Sequence, residues 1–287
     1  MYKIIKQFEK EVGVPPPKNF YKTTTGVNIP IYIIDSFHVL TQFVGYAKYA
    51  NQNSGNVFLR GQSQLFGPKL VPSALRNVEF PQKKMSRYQG FIKESSRMAR
   101  DLEGMENNKL HPLLQHYGIK TAWLDIVDNL WVALWFGLHD TSSIIINEHE
   151  HIHIFEQTSG YAYIFLILAD AINEENPGIY KGVKTIVTDL RKACPSFFIR
   201  PHAQHGLMIK KTDGIPDDYS DLIIGIAAVQ VENGFGWIGH DGLLSIQSLF
   251  PPTKYDYGYR LLLEQYKSHS TRDSFIEKYG SIHLVSH

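Results

Sequence analysis

Arg60 closes the apolar run Val57-Phe58-Leu59 and is followed by Gly61, Gln62 and Ser63. A guanidinium offers five donors in a planar fork suited to phosphate or carboxylate. Gly61 lets a ligand or another backbone come close, and Gln62 and Ser63 add polar groups that a plain core would not need. Arg60 is therefore a candidate ligand contact, with an ion pair to Asp125 as the structural alternative. A second cluster is Gln115-His116-Tyr117-Gly118, followed by Thr121 and Asp125. His116 can act as a general acid or base near neutral pH, or cap a helix end through a carbonyl. Gln115 and Tyr117 can read a ligand ring by hydrogen bond and stacking. Asp125 can orient an arginine or sit favourably at a helix N-terminus. Thr121 and Asp125, four apart on an expected strand, share one face. Arg200 and Gln204 have the same spacing near a further strand entrance.

Other constellations point elsewhere. His151 and His153 fall on one face of an expected strand, with Glu148 and Glu150 beside them. Two histidines at that spacing can ligate one metal, but no third ligand is evident. A spatial cluster of His111, His116, His202 and His205 would be a second route to a metal-dependent hydrolase or nuclease. The expectation is nevertheless that no metal is bound. Gly-rich phosphate loops and a Gly-x-Ser-x-Gly elbow do not occur. Lys83, Lys84, Arg87, Lys93, Arg97 and Arg100 collect near one expected helix and read as a solvated face, with nucleic-acid contact as the alternative. The lone Cys194 reads as a buried, inert thiol.

These groups need elements to hold them. Ser36 reads as the N-cap of a helix over 37–51, where Phe37, Leu40, Val44 and Ala47 recur at helical spacing. A strand is expected over 57–60, then helices over 87–105 and 111–117, the second stopped by Gly118. A strand over 119–126 follows, and Asp128 is read as the cap of a helix over 129–139. That helix is apolar nearly all round, so it must be a central, buried one. Strands are expected at 151–156, 161–168, 183–188, 206–211 and 222–231, with helix again at 259–268 and 273–279. Residues 234–239 read as a mobile glycine loop. Helices first and strands later predict an α+β fold. Residues 1–17 are expected to be an extension, with a helix over 1–13 and the stiff Pro15-Pro16-Pro17 link.

Composition narrows the classes. Apolar residues make up 43% of 287, enough for a sizeable core, and 29 basic residues against 28 acidic give no global drive toward nucleic acid or an anionic membrane. The longest apolar stretch, Tyr161 to Ala169, is too short to span a bilayer. The start of the chain has no apolar leader, so a cytoplasmic protein with no membrane partner is expected.

Two segments carry a family resemblance. They are Phe58-Leu59-Arg60-Gly61-Gln62 with Leu70 to Arg76, and Leu113 to Asp125 running into Asn129 to Phe136. Together they resemble the FRG-domain family, named for its Phe-Arg-Gly strand. Ile199 to Leu207 resembles that family's Arg-x-x-x-Gln-x-Gly strand entry, and Leu249-Phe250-Pro251 near Tyr257-Gly258 its C-terminal Leu-Phe-Pro element. Leu59 interrupts Phe-Arg, Trp123 replaces a leucine, and Ile126-Val127 replace Trp-Thr. The resemblance implies an FRG-like domain over 18–287, with its motifs within about 55–260. It implies a single mixed core with helices on a central split or curved sheet, similar to ADP-ribosyltransferases. The motif order Arg60, Thr121, Gln204 is similar to theirs too, with glutamine where they carry glutamate. A glutamine cannot supply a charge, so another acid, such as Glu232, would have to serve, or the site only binds.

By that resemblance the chain is an antiphage or toxin-type effector. It would bind NAD or another nucleotide and transfer or hydrolyse its ADP-ribose. Arg60 would grip the phosphates, and Gln62 and Thr121 would fix the ribose or nicotinamide amide. Asp125 would hold Arg60, His116 or Gln204 would face the reacting bond, and Gln115, Tyr117 and Arg200 would complete the binding wall. A protein or nucleic acid would be the acceptor, and a partner protein of a defence or toxin system is expected. The alternative from another class is a non-catalytic module that senses a nucleotide or partner with the same pocket.

Overall fold

A computed structural model describes residues 9, 16–72, 75, 102, 104–118, 121–146, 149–212, 218–239, 242–267 and 279–284. In chain order the first elements are β1 (Asn19–Lys22), β2 (Asn28–Ile34), α1 (Phe37–Asn51), β3 (Asn56–Gln62), α2 (Asn107–His116), β4 (Leu124–Val127) and α3 (Leu130–Leu138). Then come β5 (His139–Ile146), β6 (His149–Glu156), β7 (Tyr161–Ala169), β8 (Asn173–Asn176), β9 (Ile179–Lys181) and β10 (Thr185–Asp189). The rest are α4 (Leu190–Ala193), α5 (Arg200–Ala203), β11 (Gly206–Lys211), β12 (Ile223–Gln230), α6 (Val231–Ile238), α7 (Ile246–Leu249), α8 (Tyr257–Lys267) and β13 (Tyr279–Leu284). The architecture is α+β. The expected helices over 1–13, 87–105 and 273–279, and the basic cluster from Lys83 to Arg100, lie outside the described residues apart from single positions. No helix among the described residues is long and apolar enough to cross a membrane.

Ten strands form one mixed sheet, in the order β1-β2-β12-β7-β3-β4-β11-β10-β9-β8, and β13-β6-β5 form a second. Strand β7 is central and buried on both faces. Its Ile164 and Leu166 join the core under α1 and α3, while Phe165 and Ile167 join the core of the opposite face. The alternation follows from the pleat, which sends successive side chains to opposite sides.

The seam between β3 and β4 decides where the cavity lies. Strand β3 pairs with β7 all the way from Asn56 to Gln62, and β4 pairs with β11 from Leu124 to Val127. Between β3 and β4 the register holds a single pair, Leu59 with Val127. The large sheet is therefore nearly divided at that point.

Helix α1 begins as read: Ser36 Oγ accepts from the His38 N–H, and Leu40, Phe43, Val44 and Ala47 are buried. Helix α3 is the buried apolar helix, but its cap is Asn129 rather than Asp128. Asn129 Oδ1 accepts from Trp131 N at 2.9 Å and Val132 N at 3.2 Å, while Asp128 pairs with Arg191 at 2.8 Å. Helix α2 starts earlier than expected and contains Pro112. A proline inside a helix leaves the carbonyl four residues back without its donor. That carbonyl, on Asn108, accepts from Thr188 Oγ1 at 2.7 Å.

Two further expectations need correction, and a third gains detail. Strand β4 starts at Leu124, so Thr121 does not share a strand with Asp125. Thr121 Oγ1 instead accepts from Trp123 N at 3.0 Å, and Gln115 Oε1 accepts from Thr121 N at 2.6 Å. Such local side-chain bonds offer the backbone an alternative to the ladder. Arg200 and Gln204, read near a strand entrance, lie on α5 and its C-cap just before β11. Residues 231–238 are helix α6 rather than part of a loop, because Val231, Gly234 and Phe235 form one buried face. Gly239, at a φ of 75°, ends that helix in the left-handed region where glycine is favoured.

Candidate functional site

A partly enclosed cavity of about 570 Å³ lies at the divided seam. Arg60 and Gln62 enter it from β3, Gln115, His116 and Tyr117 from the end of α2, and Asp125 from β4. Arg200 and Gln204 come from the α5 turn. Thr121, fully buried in its turn, does not line it. Glu232, at the start of α6, does not line it either, so the carboxylates among the described lining residues are Asp125 and Asp140.

Arg60 spans the seam. Its Nη1 donates to the Asp125 carbonyl at 2.7 Å and stands 4.0 Å from the Asp125 carboxylate. Gly61 has a different partner from the one its spacing suggested for a ligand. A Cβ there would come within 1.8 Å of the Ala133 carbonyl, so the glycine is needed for the close approach of α3 to β3.

Asp125 is surrounded by protein, yet its side chain is 43% exposed because it faces the cavity. Burial alone would raise its pKa. The His116 ring, the Arg60 guanidinium and the Gln115 amide outweigh burial and hold the carboxyl below its usual range. Gln115 Nε2 donates to Asp125 Oδ2 at 3.3 Å, and His116 Nδ1 stands 3.9 Å from Oδ1. With its other end on Thr121, Gln115 acts as a brace between the α2 end and β4. The His116 ring packs on Gly206, where a Cβ would meet Cε1 at 2.6 Å.

Arg200 is 4% exposed. Its guanidinium carbon lies 4.6 Å from the Tyr117 ring centroid, 4.5 Å from that of Tyr259 and 5.5 Å from that of Phe250. Nη1 donates to the His116 carbonyl at 3.4 Å. Beneath this group Tyr117 donates its hydroxyl to the buried Asp256 at 2.6 Å, and burial followed by that bond raises the phenol pKa. Gln204 Nε2 donates to the Leu249 carbonyl at 2.8 Å, which ties α5 to α7.

Reading the sequence missed part of the wall. Trp135, Phe136, His139, Asp140, Phe250 and Tyr259 also line the cavity. His139 stacks on Trp135 at 3.8 Å, with its Nδ1 2.7 Å from the Trp135 carbonyl. The signal available was the Leu-Phe-Pro element and the i, i+4 spacing of Trp135 and His139 at the α3 end. Cys194 is buried away from this wall, and burial pushes its thiol up to about 12. Among the described residues no three His, Cys, Asp or Glu side chains gather as metal ligands.

Residues 55–144 match the family profile of the FRG domain. This chain carries an FRG domain. No curated protein and no solved structure matches the chain. The FRG domain supplies Arg60, Gln62, Gln115, His116, Tyr117 and Asp125. The Arg200 cage, with Phe250 and Tyr259, comes from beyond the matched segment.

Proposed function

We propose that the chain binds NAD or another nucleotide in this cavity and transfers or hydrolyses its ADP-ribose. One observation carries the reading. At the divided seam, a cavity of about 570 Å³ combines two guanidinium groups, an ionised carboxylate and several aromatic faces. Those are the groups a nucleotide requires: cations for phosphates, rings for a base, and polar acceptors for ribose hydroxyls. The volume also falls in the range of small-molecule sites, roughly 300–1,000 Å³.

Asp125 is the group suited to the reacting ribose. Breaking the ribose C1′–nicotinamide bond leaves the electron pair on nicotinamide and positive charge on the ribose. A fixed carboxylate offsets that charge best in a site closed to bulk water. An acceptor oxygen or nitrogen, or water, then bonds to C1′ and gives up a proton. His116 takes that proton, and the neighbouring Asp125 stabilises the resulting imidazolium. Gln62 fixes the ribose, and Arg60 keeps β3 and β4 in place around it. A protein or nucleic-acid acceptor, a defence or toxin setting and a partner protein follow from the FRG resemblance.

The test is nicotinamide release from NAD by the purified chain, with Arg60→Ala as comparison. Turnover that falls at least about 100-fold in the folded variant supports the reading. A second reading, a nucleotide sensor without turnover, is favoured by Gln204, which by the resemblance would take the place of the transferases' glutamate and is tied to Leu249. Nucleotide-dependent melting shifts with no nicotinamide release would select it. No response to any nucleotide sinks both.

A further inference from the structure

The cavity contains a buried cation whose charge is unmatched by any ion pair among the described residues. Arg200 is 4% exposed, and its Nε and Nη2 have no hydrogen-bond partner there. Those two nitrogens lie on one edge of the guanidinium, the edge that grips an oxyanion with two parallel bonds. The third nitrogen, Nη1, is turned away to the His116 carbonyl. Asp256 is buried in the same aromatic group, but its oxygens accept from the Tyr117 hydroxyl, the Arg200 backbone N–H and the Tyr259 N–H. A guanidinium left in that state is costly unless something answers its hydrogens.

A second orphan donor lines the same cavity. Trp135 Nε1 is buried without a partner, and its ring lies 6.1 Å from that of Phe250, the ring Arg200 also covers. An indole N–H and a guanidinium only donate. The complementary group must therefore only accept and carry negative charge. Tyr117, Tyr259 and Phe250 hold the guanidinium plane, so its free edge is already oriented before a ligand arrives.

We infer that Arg200 is the seat of a phosphoryl group of the ligand, with the Trp135 N–H a further donor in the same cavity. Arg60, which the sequence suggested for that task, is fastened across the seam to the Asp125 carbonyl. This assignment rests on the nucleotide reading of the cavity and adds where the ligand's phosphate sits. It places the oxyanion grip on α5 rather than on β3. A carboxylate ligand would share the chemistry, so the test separates the two.

Calorimetric titration of the full chain with inorganic pyrophosphate, malonate, ADP and adenosine, at matched ionic strength, tests it. Pyrophosphate and ADP should bind, and adenosine should bind at least about 10-fold more weakly than ADP, the loss of charge-assisted hydrogen bonds. Arg200→Lys keeps the charge but not the two-bond edge. If its circular dichroism melt shows it folded, it should bind pyrophosphate about 10- to 100-fold more weakly. Adenosine binding as tightly as ADP, malonate matching pyrophosphate, or a folded Arg200→Lys variant with unchanged affinity each overturns the assignment. The ligand-side comparison holds even where the variant does not fold. Pyrophosphate binding lost in Arg200→Lys, with no response to any nucleotide, would keep the anion seat and end the nucleotide reading. NAD turnover unaffected in folded Arg200→Lys would do the reverse.

Discussion

Asp125 is kept charged by side chains from two other elements, and that makes it separable from Arg60 experimentally. The short bond of Arg60 runs to the Asp125 backbone carbonyl, at 2.7 Å, while the carboxylate is 4.0 Å away. An Asp125→Asn variant therefore keeps the joint between β3 and β4 but loses the charge. Nicotinamide release should fall about 100-fold or more, with nucleotide affinity changed by less than about threefold. Equal losses in both would assign Asp125 to binding alone. At this scale the sequence was informative where the chemistry is local. Arg60, Gln115, His116 and Asp125 stand in recognisable blocks, and the structure brings them to one cavity. Thr121 was misplaced because its hydroxyl and the Gln115 amide hold a turn where the residue types suggested strand. The cage around Arg200 was legible only in part: the Leu-Phe-Pro element marks Phe250, but Phe250 and Tyr259 reach Arg200 only through the tertiary fold.

Among the elements, the packing of α3 on β3 depends on one missing methyl group. A Cβ at Gly61 would overlap the Ala133 carbonyl, and a backbone atom cannot swing aside as a side chain can. Gly61→Ala should cost about 2–3 kcal/mol in urea unfolding, by forcing helix and strand apart. Gly236→Ala is the matched control. It lies inside α6, and a Cβ there meets nothing within 4 Å. That change should stabilise the chain by roughly 0.4–1 kcal/mol. Comparable losses at both sites would show that the cost at Gly61 does not come from the close approach of α3. The residues of α6 read as loop because three glycines in a short window mask the burial of Val231 and Phe235. The span of α3 was legible because an uninterrupted apolar run has only a buried place to go. Its cap shifted by one residue because Asp128 and Asn129 are both good caps, and Arg191 and His205 engage the Asp128 carboxylate instead.

For the whole molecule, the α+β class was visible in the order of helical and strand patterns, but the pairing of the strands was not. Neighbours such as β3 and β7, or β12 and β2, are distant in sequence, so no local period encodes them. Global stability should also respond to acid. Burial, helped by the Lys210 charge, lowers the His111 pKa from 6.5 to about 4. Between those values the unfolded chain binds the proton and the folded chain does not, so stability falls as pH drops through the window. The loss is at most about 3–4 kcal/mol. The stability gap between wild type and His111→Gln, measured by denaturant titration from neutral pH to about pH 4, should close by that amount. A gap independent of pH would acquit the histidine.

The lone Leu59–Val127 pair gives Arg60 a double office. Where the backbone ladder ends, its guanidinium takes over as a clasp between the two half-sheets. Truncating it both empties a position in the cavity wall and unfastens the strands that frame the wall. Loss of turnover in such a variant therefore has two sources. They come apart only when the melting curve is read beside the rate.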